Sequence, residues 1–190
     1  NDLFQLSELD GSKWVLHVAR GVLQALNFIH NHDYIHKDIH PGNIFIATMH
    51  NSNKSNDRTP TFVFKIGDLG ITRLESEMNV LNTMMARWMV PPESLEPHQF
   101  GKLSKQVDIY HTGLLLLSLF LGYLPKFTYD QIATGYPRQL AEGINSPYGS
   151  AIARALRRHV GSRTQTALEF WRELSGAEPL NRRASPNNRQ

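Results

Sequence analysis

The residues most able to do chemistry lie in two short polar segments near the middle of the chain. The segment HKDIHPGN, over 36–43, places Asp38 five residues before Asn43, and IGDLG, over 66–70, places Asp68 after an apolar run. Carboxylate and amide oxygens are hard ligands that suit Mg²⁺ bridging phosphate oxygens. An aspartate outside that ligand set can accept a proton from an attacking hydroxyl. The two segments therefore predict phosphoryl transfer.

A pair of short strands has to bring the two segments together. The apolar residues over 44–47 and the alternating residues over 61–66 each predict a strand, and the polar, aperiodic stretch over 50–60 predicts a loop. If the strands pair as a hairpin, Asn43 and Asp68 lie at neighbouring strand ends.

Helices account for most of the remaining chain. An amphipathic period predicts a helix over 13–32, and the apolar stretch from Asp108 to Gly122 predicts a buried helix that is too short to cross a membrane. Shorter helices are predicted over three further ranges: 129–132, 150–159 and 165–174. The expected fold class is mainly α, with a small β-hairpin near the polar segments.

These residues resemble motifs of the protein kinase family. The 36–43 segment is similar to the catalytic loop H-R-D-x-x-x-x-N, and Asp68-Leu69-Gly70 is similar to D-F-G. The sequences RWMVPPE, over 87–93, and VDIYHTG, over 107–113, resemble the family's segments ending in A-P-E and containing D-V-W-S-x-G. Arg163 resembles the arginine that pairs with the A-P-E glutamate. The motifs occur in the family's order over about residues 3–174.

The resemblance implies the helical C-terminal lobe of a kinase, with ATP, Mg²⁺ and a protein substrate as partners. It implies catalytic roles for Asp38, His40 and Asn43, with Asp38 as the base. It implies that Asn43 and Asp68 hold the nucleotide and its Mg²⁺. It implies structural roles for four more residues: His36, Asp108, which braces the catalytic loop, and the buried ion pair Glu93 and Arg163.

The chain also departs from the family pattern. Only 35 residues precede His36, and the chain contains neither a Gly-x-Gly-x-x-Gly loop nor a V-A-I-K lysine. We therefore expect either a piece of a longer protein, whose upstream sequence supplies an N-terminal lobe, or a C-terminal lobe that stands alone. Lys37 replaces the usual arginine, and His40 stands where serine/threonine kinases usually carry lysine. These departures support the alternative of a pseudokinase that binds proteins as a scaffold; a small-molecule phosphotransferase is a third hypothesis.

Three features of the sequence each allow two interpretations. The hydroxyls of Thr72, Ser76 and Thr83 leave serine/threonine and tyrosine specificity both open. Four histidines within 11 residues, from His30 to His40, allow a zinc site, although a packed, hydrogen-bonded His36 is favoured. A basic cluster is either a solvated helix face or a docking patch; its members are Arg154, Arg157, Arg158 and His159.

Composition narrows the class of protein further. The 190 residues carry a net charge of +3, which is too small to predict nucleic-acid binding. The chain has no cysteine, and its N-terminus shows no basic start followed by an apolar run. We therefore expect a cytoplasmic protein with no membrane span. The domain is expected over 1–174, followed by a disordered basic tail over 175–190.

Overall fold

The computed structural model describes residues 11–49, 61–78 and 89–176. In chain order these ranges contain α1 (Gly11–Asn31), β1 (Tyr34–Ile35), β2 (Ile44–Met49), β3 (Thr61–Ile66), β4 (Arg73–Leu74), α2 (Pro92–Leu95), α3 (Pro97–Phe100), α4 (Gln106–Leu121), α5 (Tyr129–Thr134), α6 (Tyr136–Glu142), α7 (Gly149–Ala155) and α8 (Ala167–Gly176). Single 3-10 turns lie at Pro41–Asn43, Glu75–Glu77 and Val160–Ser162. The fold is mainly helical with two small antiparallel sheets, which confirms the predicted class.

Helix α1 carries the amphipathic stripe predicted over 13–32. Val15, Val18, Val22 and Leu26 recur at steps of three or four residues, and all four are fully buried. The buried face packs against α4, α8 and strand β3. Apolar burial of this kind is the main source of stability for an amphipathic helix.

The predicted hairpin is formed by β2 and β3. The strands are antiparallel, with Ile44 opposite Ile66, so the chain leaves this end of the hairpin at Asn43 and Gly67. Helix α1 lies close to the hairpin at Gly21, where a Cβ atom would fall 2.2 Å from the carbonyl oxygen of Phe64. Only glycine fits there, and the contact fixes the hairpin against the helical core.

Helix α4 passes through the centre of the core and is buried on every side from Val107 to Leu119. Its hydroxyl side chains bond within the helix: Thr112 donates to the carbonyl of Asp108 at 2.7 Å, and Ser118 donates to that of Leu115 at 2.6 Å. The helix ends at Leu121, directly before Gly122, as predicted, and the φ of Gly122 is 72°, in the left-handed region. None of the described helices has the length and apolarity needed to cross a membrane.

The structure differs from the expected elements at the end of one helix and in five elements that were not predicted. The predicted helix over 150–159 is wrong at its end, because α7 stops at Ala155. The carbonyls of Arg157 and Arg158 instead accept hydrogen bonds from Arg163 at 3.0 and 3.2 Å. Helices α2, α3 and α6 and the β1–β4 pair were not predicted. The 50–60 loop, Thr83 and the tail beyond Gly176 lie outside the described residues.

Candidate active site

Asp108, on helix α4, fixes the 36–43 segment through hydrogen bonds. Its carboxylate accepts hydrogen bonds from the backbone N–H groups of His36, at 2.9 Å, and Lys37, at 2.7 Å. It accepts a third from Nε2 of His30 at 2.8 Å. Complete burial would raise the pKa of Asp108, but these three donors together hold it below its ordinary value. Asp108 is thus an ionised acceptor that fixes the start of the segment.

The backbone at Lys37 has an unusual conformation, with φ at 70°. Asp68 shares this left-handed region, at 58°, and a non-glycine residue there carries a conformational cost. The hydrogen bond to Asp108 compensates part of that cost at Lys37. The Lys37 side chain is buried, and burial, with a smaller contribution from the charge of Arg73, lowers its pKa.

His36 links the segment to the residue before Asp68. The backbone N–H of Asp38 donates to Nδ1 of His36 at 3.3 Å, so the ring proton lies on Nε2. Nε2 then donates to the carbonyl oxygen of Gly67 at 3.2 Å. The ring is completely buried and hydrogen-bonded at both nitrogens, an arrangement that argues against its being a zinc ligand.

Asp38 and Asn43 are joined directly within the segment. The amide nitrogen of Asn43 donates to the carbonyl oxygen of Asp38 at 2.9 Å and to its Oδ2 at 2.8 Å. This orientation leaves the amide oxygen, rather than the nitrogen, as the atom of Asn43 that could coordinate a metal. The Asp38 carboxylate stays partly accessible, with 20 % of its side chain exposed.

His40 lies beside the carboxylate of Asp38. The N–H of Gly42 donates to Nδ1 of His40 at 3.0 Å, so Nε2 carries the ring proton. This Nε2 is 3.5 Å from Oδ2 of Asp38. The imidazole therefore contributes a positive edge next to the carboxylate.

Asp68 is carried to the same end of the hairpin by Gly67. The N–H of Gly67 donates to the carbonyl of Asn43 at 2.9 Å, which extends the strand pairing by one residue. Asp68 itself is exposed, and its Oδ1 accepts from the N–H of Gly70 at 3.0 Å. Gly67 therefore connects Asp68 both to Asn43 and, through its carbonyl, to His36.

The donor set fits a magnesium ion that arrives with a nucleotide. Among the described residues, no group of three or more histidine, aspartate or glutamate side chains is placed to hold a metal. One carboxylate, from Asp68, and one amide oxygen, from Asn43, are too few for a protein-only site. Mg²⁺ usually binds through one or two carboxylates and completes its shell with phosphate oxygens and water.

Two large apolar side chains are exposed around this end of the hairpin. Phe45 is 59 % exposed and Leu69 is 61 % exposed, and the ring of Phe45 covers Gly67. Leu69 is adjacent in sequence to Asp68 and Phe45 is in contact with Gly67, which leads to Asp68, and each of these apolar side chains leaves most of its surface to solvent.

Glu93 and Arg163 form a completely buried ion pair. The two terminal nitrogens of Arg163 donate to the two carboxylate oxygens of Glu93 at 2.7 and 2.8 Å. The guanidinium also lies 4.9 Å from the ring centroid of Tyr110. The structure thus brings together two residues that are 70 positions apart.

The structure also identifies a residue that the motif analysis did not assign, His30. Its bond to Asp108 makes it part of the support beneath the 36–43 segment. Thr72 and Ser76 lie in the described part of the segment after Asp68, whereas Thr83, Arg87 and Trp88 lie outside the described residues. His30 lies 78 positions from Asp108, so no local sequence pattern could have revealed its role.

Comparison with known proteins assigns the family. Residues 5–185 match the protein kinase domain, and the chain belongs to the protein kinase family. It is 27% identical over 174 residues to the serine/threonine-protein kinase PknB of Mycobacterium tuberculosis, covering 85% of this chain and 26% of that protein. A putative serine/threonine-protein kinase of Acanthamoeba polyphaga mimivirus is 29% identical over 146 residues, covering 70% of this chain and 32% of that protein.

A third relative has the same kind of name. The probable serine/threonine-protein kinase irlB of Dictyostelium discoideum is 27% identical over 125 residues, covering 65% of this chain and 8% of that protein. The chain therefore spans about a third or less of the curated relatives it matches.

Proposed function

We propose that the protein transfers the γ-phosphoryl group of ATP to a serine or threonine hydroxyl of a protein. The arrangement of Asp38 and Asn43 is the single observation that supports this best, because it fixes a carboxylate beside a metal-coordinating amide oxygen. The names of the relatives favour serine or threonine over tyrosine as the acceptor. Asp68 and Asn43 would hold Mg²⁺, which supplies charge neutralisation at the phosphate oxygens.

Asp38 would act as the general base. Its carboxylate accepts the proton of the substrate hydroxyl while that oxygen bonds to the γ-phosphorus, and the bond from phosphorus to the bridging oxygen breaks to release ADP. Asn43 keeps Oδ2 of Asp38 in place through its amide N–H. The Nε2–H group of His40, 3.5 Å from the same oxygen, places a partial positive charge at the site and helps to orient the transferred phosphoryl group.

The exposed apolar side chains indicate where a cover binds. Burying Phe45 and Leu69 against a nucleotide base and a further lobe would remove apolar surface from water, which favours closure. We therefore propose that an N-terminal lobe, contributed by sequence upstream of this chain, completes the nucleotide site.

The test measures phosphate incorporation from labelled ATP with Mg²⁺ by the longest natural form of the protein that contains this chain. We expect Asp38→Asn to lower incorporation by several orders of magnitude and Asp130→Asn, an exposed aspartate on α5, to leave it unchanged. Equal incorporation by the Asp38 variant and the parent protein would exclude Asp38 as the base.

The metal assignment has its own readout. We expect Asp68→Ala to abolish Mg²⁺-dependent binding of a fluorescent ATP analogue, with the melting temperature little changed because Asp68 is exposed. Nucleotide binding that is independent of both Mg²⁺ and Asp68 would refute the metal role. Protein binding without any phosphoryl transfer would favour the scaffold alternative.

A further inference from the structure

A second candidate site lies outside the Asp38, Asn43 and Asp68 cluster, and none of its lining residues belongs to that cluster. A cavity of about 410 Å³ opens between α5, α6 and the residues that follow α7, a volume within the usual range of ligand sites. Its charged lining includes Arg138, Arg157 and Arg158 against a single carboxylate, that of Glu142. The hydroxyl of Ser162 and the ring of His159 complete the polar wall.

The buried ion pair holds the basic wall in place. Arg163 donates through Nε to the carbonyl of Arg157 at 3.0 Å and through a terminal nitrogen to that of Arg158 at 3.2 Å. Its other contacts reach Glu93 in the core. The backbone that carries these two arginines is thus anchored to the interior, which lowers the conformational entropy lost when a ligand binds.

The arginine side chains are also ordered. Arg158 donates to the carbonyl of Ala133 at 2.6 Å and lies 5.8 Å from the ring centroid of Phe100. Arg157 donates to the carbonyl of Ser162 at 3.0 Å. A guanidinium has five N–H donors, so each arginine keeps donors for a ligand.

Glu142 shows the type of group that this wall binds. One of its carboxylate oxygens accepts from both Nε and a terminal nitrogen of Arg138, at 2.8 and 2.6 Å. Three guanidinium groups against one carboxylate leave an excess of two positive charges in the cavity. A phosphate monoester carries −1.5 to −2 charges near neutral pH and matches the planar guanidinium fork.

We propose that this cavity binds a phosphate monoester, presented as a phosphorylated serine or threonine side chain of a peptide. The concave shape fits a side chain and its neighbours better than a flat membrane surface. Among the described residues, the lining contains no phenylalanine, tyrosine or tryptophan on which nucleic-acid bases could stack. The site would therefore recruit a phosphoprotein independently of the phosphoryl-transfer site.

Binding can be measured on the 190-residue chain by fluorescence anisotropy. The probe is a labelled peptide with one phosphoserine among neutral residues, and the comparison probes are its unphosphorylated form, free O-phosphoserine, inorganic phosphate and a single-stranded RNA. We expect the phosphopeptide to bind at least tenfold more tightly than every comparison probe, and more weakly as salt rises.

Variants locate the binding in the cavity. We expect Arg157→Gln to weaken phosphopeptide binding at least tenfold, because it removes a charged donor, and Arg157→Lys to weaken it less. Glu142→Gln should tighten binding, because it frees Arg138 and removes a competing anion. The matched control is Arg154→Gln: Arg154 is on α7 but pairs with Glu173, away from the cavity, and its replacement should leave affinity unchanged.

Each remaining outcome overturns the proposal. Equal binding of the phosphorylated and unphosphorylated peptides would exclude phosphate recognition. Equal affinity for O-phosphoserine or inorganic phosphate would exclude a peptide ligand and assign the cavity to free phosphates, and tighter RNA binding would assign it to nucleic acid. A loss of affinity in Arg154→Gln equal to that in Arg157→Gln, with both variants melting like the parent chain, would show non-specific charge attraction.

Discussion

The buried pair between Glu93 and Arg163 gives the sharpest stability prediction. Five hydrogen bonds use the five N–H donors of Arg163: two to Glu93 and one each to the carbonyls of Gln106, Arg157 and Arg158. In Glu93→Ala, both carboxylate acceptors disappear while the guanidinium keeps its charge and its buried position. The variant therefore leaves an uncompensated cation in the core.

The expected cost follows from that geometry. Removing one partner of a buried ion pair typically costs about 3–5 kcal/mol. For a domain of this size a loss of 1 kcal/mol lowers the melting temperature by roughly 2–4 °C, so we expect a decrease of about 6–20 °C in Glu93→Ala. Replacing both partners, as in Glu93→Leu with Arg163→Met, should recover only part of this loss: no unpaired charge is left, but three carbonyls lose the donor that Arg163 supplied.

Thermal and urea unfolding monitored by circular dichroism will measure the effect. The matched control is Glu142→Ala, which breaks an exposed pair with Arg138 whose side chains are each 46% exposed. Exposed pairs contribute about 0–1 kcal/mol, so this control should melt within a few degrees of the parent chain. If Glu93→Ala melts as high as Glu142→Ala, the buried pair does not stabilise the fold as argued.

Two further predictions concern the packing of the core and its response to pH. Gly21→Ala should lower the free energy of unfolding by about 1–3 kcal/mol, because its Cβ would collide with the carbonyl of Phe64. The control Gly161→Ala should leave the free energy of unfolding unchanged, because Gly161 faces open space. Equal free energies of unfolding in the two variants would contradict the close approach at Gly21. Burial lowers the pKa of His111, so the unfolded chain binds a proton more readily and stability should fall as pH drops below about 6.5. The fall in melting temperature between pH 7 and pH 5.5 should be smaller in His111→Gln, and an unchanged slope would exclude His111 as its source.

The larger elements were predictable because their periodicity is local. Helix α1 repeats apolar residues at steps of three or four, and β3 alternates along its length, so each pattern predicts its own element. Helix α4 contains the uninterrupted apolar run Leu114–Leu117, and a glycine, Gly122, follows its last residue. The strands β1 and β4 have two residues each and pair across the chain, Tyr34 with Leu74, so neither contains a pattern long enough to detect.

The sequence did not predict where α7 ends or that α6 forms, and the physical reason differs from that for β1 and β4. The residues after Ala155 have good helix formers, but their carbonyls bond to Arg163, and no property of the 150–159 sequence reveals that competitor. Helix α6 begins beside Gly135, whose left-handed φ of 83° and the Pro137 that follows are ordinary turn signals. Tertiary hydrogen bonds and backbone reversals decided these boundaries.

The candidate site, too, was only partly predictable from the sequence. The spacing of Asp38 and Asn43 and the hairpin between them and Asp68 were readable from the chain, and the structure ties these residues through Gly67. The position of His40 against Asp38 and the role of His30 were not readable. Both depend on ring orientations that only the folded backbone specifies.

One short stretch of α4 explains how the candidate site and the 89–93 segment keep a fixed relation. The carbonyl of Gln106 accepts from Arg163, Asp108 accepts from the start of the 36–43 segment, and Nε2 of His111 donates to the carbonyl of Met89 at 2.8 Å. All three contacts lie within two turns of a helix that is buried on every side. Because a buried helix cannot bend without losing core packing, movement of the 89–93 segment relative to Asp38 requires breaking at least one of these bonds.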